Sequence, residues 1–370
     1  MCFAFRDPPA ASFANLPDLP LEIVLRRAHA LAGVAKVLPL LSKPILSTLR
    51  RMDLPAGTDF ETRLLDEAVT KDAREAPFGA WRLGALVLLD SREQLAGLAG
   101  LAALHTLNLS NSQHCVDWSV LTGLQALSKL NVSHCFRREQ DWSVLAGLTA
   151  LQSLDMSYCG WVEDVSWLAG MVALDTLNMD NCSKVKDIAP LAGLTRLEKL
   201  NLNSCHSLKD VSALAALVRL QELNLCDNFE LTGLWPLAGL GDLRTLDLIW
   251  SRNVVDVSSL VGLLVGLRNL NLECSTYLTD LGPLAGLVHL KMLNLSKCVN
   301  VTDVSALGDC ASLETLNLSY CPGLKNVLAL GGCKTLQSLD LSYSTLREDV
   351  SVLAGREALR EVNLTGCWWL

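Results

Sequence analysis

The chain has 370 residues, of which 50% are hydrophobic, 5% aromatic and 19% charged, and its formal net charge is −8. So high an apolar content excludes general disorder, and no uncharged apolar run reaches the ~18 residues of a membrane helix. The acidic balance argues against a phosphate-backbone partner, so neither nucleic acid binding nor membrane insertion is expected.

The chain opens Met1-Cys2-Phe3-Ala4-Phe5-Arg6-Asp7, which lacks the basic-then-apolar order of a signal peptide. Residues 1–15 read as a tail and residues 16–80 as a helical N-terminal region and cap. Within it, Leu19-Pro20-Leu21-Glu22-Ile23-Val24-Leu25, then Leu31, then Leu41-Ser42-Lys43, resembles an F-box, with Arg27, Pro44 and Ile45 departing from that pattern. The resemblance implies docking onto a ubiquitin-ligase adaptor; the plain alternative is a helical cap. Asp59 to Val69 has helical periodicity behind an Asp cap and is expected to cover the first strand of the downstream solenoid. Leu83-x-x-Leu86-x-Leu88 reads as a degenerate extra strand, with Val87 where later repeats carry Asn or Asp.

From Leu104 the sequence repeats itself. The pattern L-x-x-L-N-L begins at Leu104, Leu127, Leu151, Leu174, Leu197, Leu220, Leu243, Leu267, Leu290, Leu313, Leu336 and Leu359, twelve copies spaced by 23 or 24 residues. Its consensus is L-x-x-L-N-L-S-x-C-x-x-V-x-D-V-S-x-L-A-G-L-x-x. The L-N-L end puts two leucines on one face and Asn on the other, as in a strand. A constant period returns each strand beside the last, so the sheet is parallel, and stacked repeats bury leucines that one repeat cannot. Asp141, Asp164, Asp187, Asp210, Asp256, Asp280 and Asp303, with Asp117 and Asp349, stand before the D-V-S-x-L segment and suit an N-cap or turn better than a cation site.

This consensus resembles the leucine-rich repeat family. The return segment is similar to the internalin type, the cysteine is similar to the cysteine-containing subclass, and repeats of this mixed style are similar to those of kinetoplastid proteins. The resemblance implies an α/β solenoid, a horseshoe spanning residues 81–370, with one parallel sheet of about twelve or thirteen strands and short helical or 3-10 returns. It implies a binding task without naming the partner.

Thirteen cysteines, an odd number, cannot all pair within one molecule. Counting the first Leu as position one, position nine reads Ser112, Cys135, Cys159, Cys182, Cys205, Asn228, Ser251, Ser275, Cys298, Cys321, Ser344 and Cys367. Every one is small and able to hydrogen-bond where the chain leaves the strand, so the column is expected to join adjacent loops. Rungs ~4.8 Å apart set these thiols in a row, which cannot surround one zinc. Cys115, Cys310 and Cys333 replace Val or Leu and read as small hydrophobes. Cys2, Cys226 and Cys274 remain as expected exposed thiols. Structural thiols point to a reducing compartment, hence the cytoplasm or nucleus rather than the cell surface.

No phosphate-loop, dinucleotide or nucleophile-elbow motif occurs, and no C-x-x-C, so no enzyme, cofactor or metal is expected. Function is then expected on the concave strand face, ~55 Å long at ~4.8 Å per strand. Position eight, at the strand exit, carries His134, Tyr158, Trp250, Tyr320 and Tyr343, and position seven carries Ile249 beside Asp247. Tyr and Trp are frequent interface anchors, and these seven residues are the candidate partner-binding set, with Trp250 and Ile249 at its centre. Asp247 and Glu222 suggest a mildly acidic surround and a partner bearing basic residues. Trp368 and Trp369 close the chain and either cover the end of the core or offer a second contact. A protein-binding scaffold is the leading expectation, with an F-box substrate receptor or a cytoskeletal or axonemal component as alternatives.

Overall fold

The computed structural model describes residues 102–112, 118–135, 140–231, 233–252, 256–260, 266–345 and 350–367, together with the backbone of 22–24 and 85–87. The chain forms two compact units that meet in sequence between Asn131 and Val132. The first contains β1 (Glu22–Val24), β2 (Ala85–Val87), β3 (Thr106–Asn108) and β4 (Lys129–Asn131), paired in parallel in chain order. β2 is the degenerate strand expected from the sequence, and its Leu86 and Val87 sit beside Leu107 and Asn108. β1 corrects part of the helical expectation for residues 16–80: Glu22–Val24 is extended, with Ile23 beside Leu86. The β-branched pair Ile23-Val24 favours an extended backbone, and an adjacent strand offers it a ladder. The rest of the F-box-like segment and the expected cap helix at 59–69 lie outside the described residues.

The second unit stacks ten three-residue strands: β5 (Ser153–Asp155), β6 (Thr176–Asn178), β7 (Lys199–Asn201), β8 (Glu222–Asn224), β9 (Thr245–Asp247), β10 (Asn269–Asn271), β11 (Met292–Asn294), β12 (Thr315–Asn317), β13 (Ser338–Asp340) and β14 (Glu361–Asn363). Each pairs in parallel with the next without a register slip, so Leu154, Leu177, Leu200, Leu223 and Leu246 stand side by side.

The repeat folds this way because its apolar residues change period. Leu154 and Met156 alternate by two across the strand, both fully buried. From Met156 the buried residues then recur every third position: Cys159, Val162, Val165, Leu168, Met171 and Leu174. A period of three is that of the 3-10 helix, whose side chains at i and i+3 eclipse. The backbone obeys it: Leu168 N–H donates to the Val165 carbonyl at 3.0 Å, Met171 to Leu168 at 2.9 Å and Leu174 to Met171 at 3.0 Å. Every return segment described, from Ser119–Gly123 to Ser351–Leu353, is accordingly 3-10.

The Asp column does what a turn residue at that place should do. Asp187 Oδ1 accepts the Ala189 N–H at 2.8 Å, and Asp210 accepts both the N–H of Ser212 at 2.8 Å and its hydroxyl at 2.9 Å. Asp141, Asp164, Asp256, Asp280 and Asp303 repeat the contact. At β14 the apolar face opens: Val362 is exposed, and Leu353, Leu359 and Leu364 are half-buried. Trp368 and Trp369 lie outside the described residues. Among the described residues no helix is long and apolar enough to cross a membrane.

Candidate functional site

The small-residue column holds the turn that leaves most of the described strands; at Ser112 and Ser275 the buried hydroxyl has no hydrogen-bond partner. Cys159 Sγ donates to the Val132 carbonyl at 3.4 Å, Cys182 to Met156 at 3.3 Å and Cys205 to Met179 at 3.3 Å. Asn228, Ser251, Cys298, Cys321, Ser344 and Cys367 make the same reach to the preceding rung, from 2.7 to 3.2 Å. The contact runs both ways at Ser344, whose oxygen accepts the Cys321 N–H at 3.0 Å while its O–H donates to the Leu318 carbonyl at 2.7 Å. One side chain thus satisfies a carbonyl and an amide of the turn beneath it. Burial pushes the thiols of Cys159 and Cys205 up to about 12, so they stay protonated donors. Cys310 and Cys333, the expected small hydrophobes, are buried and also bond a carbonyl one rung back.

Position five is equally committed. Asn178, Asn201, Asn224 and Asn294 each accept the N–H two residues on, at 2.9 to 3.1 Å. This Asx turn ends the strand and sends position eight into the left-handed region: φ is +57° at Asn181, +58° at Asp227, +59° at Trp250 and +55° at Tyr320. Asn, Asp and Gly suit that backbone, whereas Trp or Tyr there costs on the order of 1 kcal/mol. Four aromatic residues and His134 occupy it nonetheless.

These residues do not converge on one point. His134 and Tyr158 stack with ring centres 4.4 Å apart, and Tyr320 stacks on Tyr343 at 4.7 Å. Trp250 belongs to neither stack. It is 40% exposed, beside a half-buried Ile249. Asp247 is not a free carboxylate, since its Oδ1 accepts the Ile249 N–H at 3.3 Å.

Two expectations need correction here. Cys226 and Cys274 are buried rather than exposed, at 7% and 4%. Position seven, where Cys226 stands, is also buried at Ser133, Ser157, Ser296, Ser319 and Ser342, whereas Cys274 stands at position eight and is buried where Tyr158, Trp250, Tyr320 and Tyr343 are exposed. Burial, reinforced by the Asp247 carboxylate, raises the Cys226 thiol, and burial raises that of Cys274. The acidic surround of Trp250 also fails. Glu222 is held by Lys199 at 2.7 Å, and the Arg252 guanidinium lies over the Trp250 ring at 4.9 Å.

Arg252 was not among the expected site residues, nor were Phe229 and His206. All three stand at position ten of successive repeats, just beyond the small column. Arg252 also covers Phe229 at 5.9 Å, and Phe229 stacks on His206 at 5.4 Å. His206 in turn borders a cavity of about 380 Å³ lined by Lys186, Ser207, Lys209, Asp210 and Glu230. The run of aromatic and cationic residues at position ten was present in the sequence, but only the left-handed turn brings it next to position eight.

A sheet of in-register leucines, 3-10 returns and a hydrogen-bonding column at the turn define a leucine-rich-repeat solenoid. Solved structures agree. An internalin from Listeria monocytogenes matches with a TM-score of 0.60 and 28% identity over 73% of this chain and 83% of that one. The functional domain of InlJ from the same organism, which includes a cysteine ladder, matches at 0.51 and 22% over 75% of this chain and 55% of that one. The mouse RP105/MD-1 complex matches at 0.54 and 20% over 76% and 55%. No protein-family model matches the chain, nor does any curated protein. Neither the F-box resemblance nor the kinetoplastid one receives support from these neighbours.

Proposed function

We propose that the chain is a non-enzymatic scaffold that binds another protein through the strand face, with Trp250 near the centre of the contact. One observation carries this: exposed aromatic side chains occupy a left-handed position that Asn or Gly would fill at lower cost. Tyr158, Trp250, Tyr320 and Tyr343 are 40–47% exposed, and the core leucines of their repeats are already buried without them. The solenoid gains little from such residues; a partner gains the rigid anchors that interfaces favour. The same fold in the mouse RP105/MD-1 complex is found within an assembly of two components, in accord with a binding role.

The test uses the full chain as bait, beside Trp250→Ala and a control on the return segment, Trp235→Ala, where the ring is 65% exposed. Proteins retained by the wild type should be retained by Trp235→Ala and lost by Trp250→Ala, whose affinity drops by ~2 kcal/mol, roughly thirtyfold. Equal retention by all three chains would remove Trp250 from the interface.

A further inference from the structure

We infer that the segment recognised at Trp250 is acidic: a partner peptide placing a carboxylate on Arg252 beside an apolar side chain on the exposed rings. The inference rests on the interface proposed above and supplies its chemistry.

The neighbourhood's own carboxylates are already engaged. Glu222 pairs with Lys199 at 2.7 Å, Glu230 with Lys209 at 3.1 Å and Glu273 with Lys297 at 2.6 Å. Asp227 accepts the Ser204 hydroxyl at 3.2 Å and lies 4.0 Å from His206, and Asp247 Oδ1 accepts the Ile249 amide at 3.3 Å. Among the described residues, Arg252 has no carboxylate within 4.0 Å. Its guanidinium lies across two aromatic faces, Trp250 at 4.9 Å and Phe229 at 5.9 Å.

A guanidinium stacked on rings keeps its N–H edge free, and that edge is shaped for a carboxylate. A partner's apolar side chain closing over the Trp250 and Phe229 rings, 40% and 38% exposed, would exclude water and strengthen such a pair. The strip continues through His206 to the cavity where Lys186 likewise has no ion-pair partner among the described residues, while Asp210 there is held by Ser212. Lys186, at position thirteen, and Arg252, at position ten, lie three repeats apart, so ~14 Å at ~4.8 Å per rung is the least separation, the length of four or more extended residues. The matching segment therefore carries acidic residues four or more apart with an apolar residue between. The net charge of −8 does not oppose it, because charges beyond ~10 Å are screened at physiological salt.

The experiment pans a random twelve-residue display library over the immobilised full chain at physiological salt. Anisotropy of labelled versions of the selected peptides then reads affinity. Enriched peptides should be net acidic with an aromatic or large aliphatic residue. Their affinity should fall at least tenfold with Arg252→Glu, at least threefold with Arg252→Lys, which lacks the planar fork, and stay within twofold with the remote Lys334→Glu. Enrichment of neutral or basic peptides, no enrichment, or equal losses with Arg252→Glu and Lys334→Glu would overturn the inference. Peptides that need Trp250 but ignore Arg252 would overturn the charge assignment and leave the interface standing. Peptides that bind Trp250→Ala as well as wild type would overturn the interface itself.

Discussion

Replacing Cys182 by alanine removes a hydrogen-bond donor from a dry turn. The Met156 carbonyl loses its thiol donor at 3.3 Å. Cys182 is 0% exposed, so water cannot take over the role. Unmet buried polar groups cost ~1–3 kcal/mol, and bonds to sulfur are weak, so the expected loss for Cys182→Ala is ~2 kcal/mol. Cys182→Ser keeps one donor and one acceptor, as Ser251 and Ser344 do at 3.1 and 2.7 Å, and should cost under ~1 kcal/mol. Leu200→Ala, which opens a cavity beneath β7 where Leu200 is 2% exposed, should cost ~2–5 kcal/mol and calibrates the scale. Denaturant unfolding with a common slope measures all three. If the serine variant proved less stable than the alanine variant, the column would be a packing device and the hydrogen-bond account would fall.

Further outcomes are expected. Because burial raises the folded thiols of Cys159 and Cys205 from 9.0 to about 12, the unfolded chain sheds those protons first; the stability these two groups contribute is full below pH 9 and lost between pH 9 and about 12. The combined Cys159→Ser, Cys182→Ser and Cys205→Ser variant should show a shallower alkaline decline than wild type by circular dichroism, and parallel curves would contradict the assignment. Among the described cysteines the half-buried Cys367 should label first with a thiol reagent under native conditions, with Cys226 and Cys274 as slow as Cys182; fast labelling of Cys226 by mass spectrometry would contradict its burial. Trp250→Asn relieves a left-handed tryptophan at φ +59° and should leave the melting temperature unchanged or raised while binding is lost; a lower melting temperature would make Trp250 a packing residue.

The repeat, its parallel sheet and the hydrogen-bonding column were legible in the sequence because each is local and periodic. Leu104 to Leu359 holds phase, L-N-L fixes which face is buried, and a position restricted to Cys, Ser and Asn announces its task by its chemistry. The choice of 3-10 returns was also written there, in apolar residues that recur every third position from Met156 to Leu174. Glu22–Val24 escaped because a three-residue strand has no period to detect, and only Ala85–Val87 beside it supplies its bonds. Cys226 and Cys274 were misplaced because burial at positions seven and eight depends on the length of side chains one rung away, 23 or 24 residues distant in sequence. The charge of the candidate site was decided in the same way. Asp247 and Glu222 count as acidic in a sequence, but the fold gives one to the Ile249 amide and the other to Lys199. It lays Arg252 across Trp250, because a left-handed turn folds position ten back beside position eight.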